Sequence, residues 1–190
     1  MGPSEESRRT ATYLRNALGV PCQIHRYLDE KEDSAVYVLT ASGAPSEGLS
    51  TYATASLSDH PTGFDAYGQP LRVELLFAVS SDAEQAPNIV STCAFNAINS
   101  DWPVTLNAMH PGVVRMYYPE RQMAHVILVS PFSFKLETQR LPSRTVAWLQ
   151  ILPVSEGELA FAEGHGVGAL EKRLEVAGID AFDLGRPSIF

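Results

Sequence analysis

Residues 71–79 read Leu71-Arg72-Val73-Glu74-Leu75-Leu76-Phe77-Ala78-Val79, and this stretch decides the class of fold. Leu71, Val73, Leu75, Phe77 and Val79 alternate onto one face of an extended chain, with Arg72, Glu74 and Leu76 on the other. β-Branched and aromatic residues dominate, as in a pleated strand with a buried face. Upstream, Gln23–Leu28 and Ala35–Thr40 read as strands separated by the polar turn Asp29-Glu30-Lys31-Glu32-Asp33, and Thr51–Leu57 as a further half-buried strand. Gly43–Gly48 and Ser58–Pro70 read as loops. Downstream, Ala124–Ser130 and Thr145–Leu152 are apolar strands, and Pro103–Arg121 is irregular.

Helical spacing frames these strands. Ala11, Leu14 and Leu18 place an apolar stripe on a first helix over Ser4–Leu18, opened by acidic residues and closed by Gly19. Ile89, Val90, Cys93, Ala94 and Ala97 form a second stripe that stops at Trp102-Pro103. Ser155-Glu156-Gly157-Glu158 has the S-x-x-E pattern of a capping box, with Val154 and Leu159 at the staple positions. Val167, Leu170 and Leu174 then line one face of a last helix that ends at Gly178. Gly164-His165-Gly166-Val167-Gly168 reads as the joint between two helices rather than a dinucleotide loop, because no βαβ unit surrounds it. This order of elements predicts an α+β fold, a mixed β-sheet flanked by helices, in one domain over residues 1–190.

Composition narrows the function. The 190 residues are 45% hydrophobic and 19% charged, which fits a globular core and excludes wholesale disorder. The formal net charge of −8 disfavours a phosphate backbone and favours encounter with a basic partner. No apolar run reaches the ~18 residues of a membrane helix, and Met1–Glu6 lacks the basic start of a signal peptide. Cys22 and Cys93 suit a reducing compartment. The expectation is a soluble cytoplasmic protein that contacts neither nucleic acid nor membrane.

Motifs of catalysis are missing: there is no G-x-S-x-G, no G-x-x-x-x-G-K-[ST] and no H-E-x-x-H. Ser58-Asp59-His60 holds triad residue types, but neighbouring backbone positions do not give triad geometry, and a polar turn is the simpler reading. Cys22 and His25 form an isolated C-x-x-H, and His25, His60, His110, His125 and His165 are scattered, so neither metal nor other cofactor is expected. Three charged residues are candidates for partner binding. Glu74, opposite the apolar face of its strand, is a functional carboxylate beside a groove or else is held by a cross-strand ion pair or backbone hydrogen bonds. Arg186 clamps a partner carboxylate or an acidic residue of its own chain that pins the tail. Glu158 is a contact residue or a capping residue. Tyr117, Tyr118, Trp102 and Trp148 are core or interface anchors.

Four blocks carry a family resemblance. Thr51–Ser58 resembles the "y-x-T-x-G-L-S" strand of the suppressor-of-fused-like domain, with Ala55 at the place of its glycine. Arg72–Leu76 is similar to that family's "v-E-L" strand, and Trp148–Val154 followed by Glu158 to its "L-P-I-x-x-x-E" junction. Asp183 with Arg186-Pro187-Ser188 resembles its terminal "D-x-x-R-x-S". The blocks keep the family order from about 49 to 189. The resemblance implies an α+β domain without known catalytic activity. In animals the founding protein is a cytoplasmic inhibitor that sequesters transcription factors in Hedgehog signalling, whereas bacterial members resemble single-domain immunity proteins that neutralise a partner toxin. The animal protein's second domain has no counterpart in this chain, so its inter-domain clamp is not carried over. The leading expectation is therefore a non-catalytic immunity or antitoxin-type binder of a basic toxin. Its competitors are a small hydrolase or ligand-binding protein built on Glu74, His60, Glu158 and Arg186, and regulatory sequestration of an endogenous protein.

Overall fold

A computed structural model describes residues 2–190. Among them are four α-helices and a nine-stranded sheet, and the strand predicted over 71–79 lies at its centre. The strands are β1 (Cys22–Leu28), β2 (Ala35–Ser42), β3 (Leu49–Thr54), β4 (Asp65–Ala66), β5 (Gln69–Ser80), β6 (Met109–His110), β7 (His125–Val129), β8 (Gln139–Arg140) and β9 (Thr145–Val154). They run in the order β1-β2-β3-β5-β9-β7-β6, with β4 hydrogen-bonded to β5 and β8 to β9. β5 and β9 are parallel, Glu74 facing Trp148 in register, and the remaining pairs are antiparallel. The sheet is mixed, as the element order predicts.

Alternation on the central strands feeds two faces. Val73, Leu75, Phe77 and Val79 join Val126, Leu128 and Ile151 in one core, covered by α2 (Ala86–Ser100) through Ile89, Val90 and Cys93. Leu76 and Trp148 turn the other way, onto Leu14 and Leu18 of α1 (Glu5–Leu18). Ile127, Val129, Leu152 and Val154 meet α3 (Glu156–His165) and α4 (Val167–Ala177) on that second face. With both faces covered, the middle strands are apolar on both sides, which is why Leu76 breaks the simple alternation. Phe77 is fully buried, worth about 1.5–3 kcal/mol of transfer free energy.

The helix ends follow their sequence signals. Ser4 Oγ accepts the Ser7 N–H at 3.1 Å, and Gly19 closes α1 in the left-handed region at φ 69°. Gly166, at φ 87°, joins α3 to α4. No helix among the described residues is long and apolar enough to cross a membrane.

Candidate functional site

The central strand that fixes the fold also carries a fully buried carboxylate. Glu74 is 0% exposed. Its Oε2 accepts the Thr54 hydroxyl at 2.5 Å and the Leu57 N–H at 3.2 Å, and its Oε1 accepts the Ser58 N–H at 3.2 Å. Thr54 can donate in this direction because its own oxygen already accepts the Leu75 N–H. Burial pushes the Glu74 carboxyl above its usual range, against the pull of these donors. Of the two structural alternatives, the backbone hydrogen bonds are present and the cross-strand ion pair is not. These bonds also stop β3 at Thr54 and turn Leu57–Asp59 into a 3-10 helix, so the strand expected to reach Leu57 ends three residues early. Ser56, rather than Ala55, falls at the motif's glycine when Thr54 and Leu57 are matched; its Oγ accepts the Tyr37 N–H.

Directly behind this turn sits Arg144, which motif and spacing left unmarked. Its guanidinium donates to the Ser58 carbonyl at 2.6 Å, to Asp59 Oδ1 at 2.9 Å and to the hydroxyls of Ser4 and Ser7, and its Nε lies 3.2 Å from a Glu6 carboxylate oxygen. For Asp59, burial raises the pKa, but hydrogen bonds from Ser4, Arg144 and Ser7 outweigh it and hold the group below its usual value. One buried cation thus ties the start of α1, the 3-10 turn and the start of β9 together. Ser58-Asp59-His60 is accordingly a structural turn, with Asp59 directed at Arg144.

At the other end of β9 the capping box is complete. Ser155 Oγ accepts the Glu158 N–H at 3.1 Å, and Glu158 Oε2 accepts the Ser155 N–H at 3.0 Å. Arg186 then closes on Glu158 with two 2.7 Å bonds in a fork-to-fork pair. The same guanidinium donates to the Pro153 carbonyl at 3.2 Å, while Ser188 Oγ lies 2.6 Å from Ser155 Oγ. Gly157 lets the tail lie close: a Cβ there would sit 3.1 Å from Phe190 Cβ. Glu158 is 0% and Arg186 3% exposed. Arg186 therefore takes its own chain's carboxylate and pins the tail.

Glu74, Glu158 and Arg186 all lie beneath the surface, partnered within the chain. They belong to two clusters five residues apart along β9, between Trp148 and Pro153, roughly 17 Å at 3.3 Å per residue. His60 sits with Asp59 at the first cluster, away from the Glu158–Arg186 pair, so the four residues of the hydrolase alternative do not share a cleft. His125, in apolar β7, is satisfied: Nδ1 accepts the Gly112 N–H at 2.8 Å, which leaves Nε2 to donate to Glu156 at 3.0 Å. Burial pushes the Cys93 thiol up to about 12, an inert core residue. Trp148 lies in the core, its Nε1–H on the Glu137 carbonyl at 3.1 Å.

β1 stands at the end of the sheet, and Ile24 and Leu28 on it are exposed. An edge of this kind offers backbone N–H and C=O groups to an incoming strand.

With this geometry, the match to known proteins is informative. The model of the suppressor of fused protein (SUFU) family matches residues 27–187. The chain belongs to this family. An immunity protein of Bacillus subtilis (strain 168), YqcF, is 37% identical over 191 residues, covering all of both chains. A SUFU homologue from Neisseria gonorrhoeae FA 1090 superposes with a TM-score of 0.75 at 15% identity, over 96% of this chain and 95% of that one. A chain of the Sufu–Fu complex gives 0.71 at 13%, over 100% and 94%. Drosophila Suppressor of Fused gives 0.56, over 89% of this chain but 42% of its own. The three structural likenesses establish the SUFU fold, a mixed sheet with helices on both faces. The buried polar clusters occupy the blocks that suggested the family: Thr54, Leu57 and Ser58 hold Glu74, and Pro153, Glu158, Arg186 and Ser188 form the tail clamp.

Proposed function

We propose that the protein is a non-catalytic, single-domain immunity protein that binds a toxin protein in the cytoplasm and blocks its active surface. The observation that carries this reading is the end-to-end 37% identity with an immunity protein. The internal chemistry agrees: the carboxylates and guanidinium groups best placed for acid–base work are consumed in holding helices to the sheet. A net charge of −8 favours a basic toxin, with electrostatic steering of the encounter. In this role Glu74, Glu158 and Arg186 act from inside, by fixing the elements that present the binding surface.

The test is co-expression with a candidate toxin, sought first in the open reading frame adjacent to this one. Growth should be restored by the intact protein, and the two chains should copurify at equal stoichiometry. No protection and no complex would overturn the proposal. Stopped-flow association should slow markedly between low and physiological salt; a salt-independent on-rate would remove the steering component.

A further inference from the structure

The β1–β2 hairpin and α2 enclose an open groove of about 670 Å3 that neither polar cluster enters. Its lining is mixed: Asn88, Ser91, Thr92 and Asn96 of α2 stand beside three aromatic rings. Tyr27 from β1, Phe95 from α2 and Tyr117 from the turn after β6 are packed partly against the core, and Met116 beside them is 66% exposed. An unbranched thioether at such a mouth adapts to inserted side chains of different shape.

Its rim is acidic: Asp29, Glu30 and Asp33 stand there against a single Lys31. The carboxyl end of α2 reaches the same groove, with no basic residue in its last turn, so its partial negative charge adds to the rim. The walls are fixed. Asp29 accepts the Ser34 N–H and the Asn99 side-chain N–H, both at 3.0 Å, and Ser34 Oγ donates to Asn99 Oδ1 at 2.7 Å. The Thr92 and Tyr117 hydroxyls are 2.6 Å apart. A preformed groove has less ordering entropy to lose on binding.

We infer that this groove seats a cationic segment of the partner protein, one large apolar or aromatic side chain resting on the Tyr27–Phe95–Tyr117 floor and a flanking Lys or Arg against the rim. The inference rests on the immunity reading for the identity of that partner. Charge selects the occupant: a second copy of this chain brings another −8, and a nucleic acid brings phosphates, both repelled by the rim. Because Tyr27 also belongs to the edge strand, a segment leaving the groove can continue alongside β1 as an added strand.

Two measurements test it. First, the 15N-labelled protein is titrated with the capped peptide Lys-Leu-Lys-Trp-Lys-Leu-Lys and with its counterpart carrying Glu for Lys. The cationic peptide should shift the amides of residues 29–34, 92–100 and 116–117, and Glu30→Lys/Asp33→Lys should weaken it on the order of tenfold. Absent or scattered shifts, equal binding of the acidic peptide, or self-association through the same amides would overturn the inference. Second, Glu30→Lys/Met116→Lys should abolish protection against the toxin, whereas Val176→Glu, on α4 across the sheet and 87% exposed, should keep it. Protection that survives the groove variant, or is lost equally in both, overturns the groove and leaves the immunity reading standing. If the wild type gives no protection, that reading falls, and the peptide titration still decides the groove.

Discussion

Replacing Arg186 by Met should unfold the protein far more readily than any change at an exposed charge. The substitution keeps much of the side-chain volume but removes a guanidinium that is 3% exposed from a carboxylate that is 0% exposed. Two 2.7 Å bonds disappear, and Glu158 is left with the Ser155 N–H at 3.0 Å and the Ile189 N–H at 3.3 Å. An uncompensated buried charge of this kind costs about 3–5 kcal/mol. For a chain of this size each kcal/mol lowers the melting temperature by about 2–4 °C, so the loss should be roughly 6–20 °C. Urea unfolding followed by tryptophan fluorescence reports it directly, since Trp148 is buried in the core beneath α1. The double variant Glu158→Gln/Arg186→Met should recover most of the loss, because the charge is gone and Gln still completes a capping box. A single variant within about 1 kcal/mol of wild type, or a double variant no better than the single, would refute the idea that the pair is a desolvated unit.

Arg144→Met should cost about 2–3 kcal/mol, less than Arg186→Met because Asp59 and Glu6 retain some solvent contact; hydrogen exchange should quicken in α1, and an unchanged α1 would contradict the hub. Ser155→Ala should cost about 1 kcal/mol through the cap, read as a shifted urea midpoint with constant slope; no shift would show the cap to be redundant. Glu74 has a folded pKa raised above 4.5, so its stability contribution is fully present below pH ~4.5 and is lost as pH rises through the folded value. The stability of wild type relative to Glu74→Gln should therefore fall with rising pH, and a flat difference would contradict the desolvation. Asp59 works with the opposite sign: its folded pKa lies below 3.8, so its contribution is present above pH ~3.8 and disappears as pH drops through the folded value. Asp59→Asn should remove that part of the acid destabilisation; an identical acid limb would place the dependence elsewhere.

Much of the architecture was legible because the local signals are strong and agree. Alternation over 71–79, the stripe Ala11–Leu14–Leu18 and the box Ser155–Glu158 each appear at the expected place. What was not legible depends on residues far apart in sequence. β3 ends where the Glu74 carboxylate captures the Leu57 and Ser58 N–H groups, and no window around Thr54 contains Glu74. The loop over 58–70 hides the short strand β4, turned back onto β5 by Tyr67 and Gly68, both at positive φ (55° and 75°); Tyr lacks the Asn or Asp signature of such a turn. Arg144 stands alone between Ser143 and Thr145, and its partners come from residues 4–7 and 58–59. For the three charged candidates, Glu74, Glu158 and Arg186, sequence could not tell a buried clamp from an exposed contact, because the partners that clamp them lie 16 to 33 residues away.

The two clusters bracket β9, and the position of that strand explains why they matter. β9 pairs in parallel with β5, and a parallel partner cannot be set by a tight turn; the chain travels from Ser80 through α2 and three strands before returning at Thr145. Apolar patterning alone leaves its register loosely specified, because β9 is buried on both faces. A one-residue slip would send Trp148 and Gln150 to the α2 face and Leu149 and Ile151 to the other; Trp148 would exchange with another large apolar residue, while Gln150 would lose the Phe132 and Ser133 N–H groups that its amide oxygen accepts. The same slip would move Arg144 about 3.3 Å away from Asp59 and Ser58, and the Pro153 carbonyl away from Arg186. Hydrogen-bonded charges tolerate no such displacement. The polar side chains therefore specify which of several buried arrangements forms, and they do so from the interior, without drawing on the β1–β2 hairpin or the acidic groove.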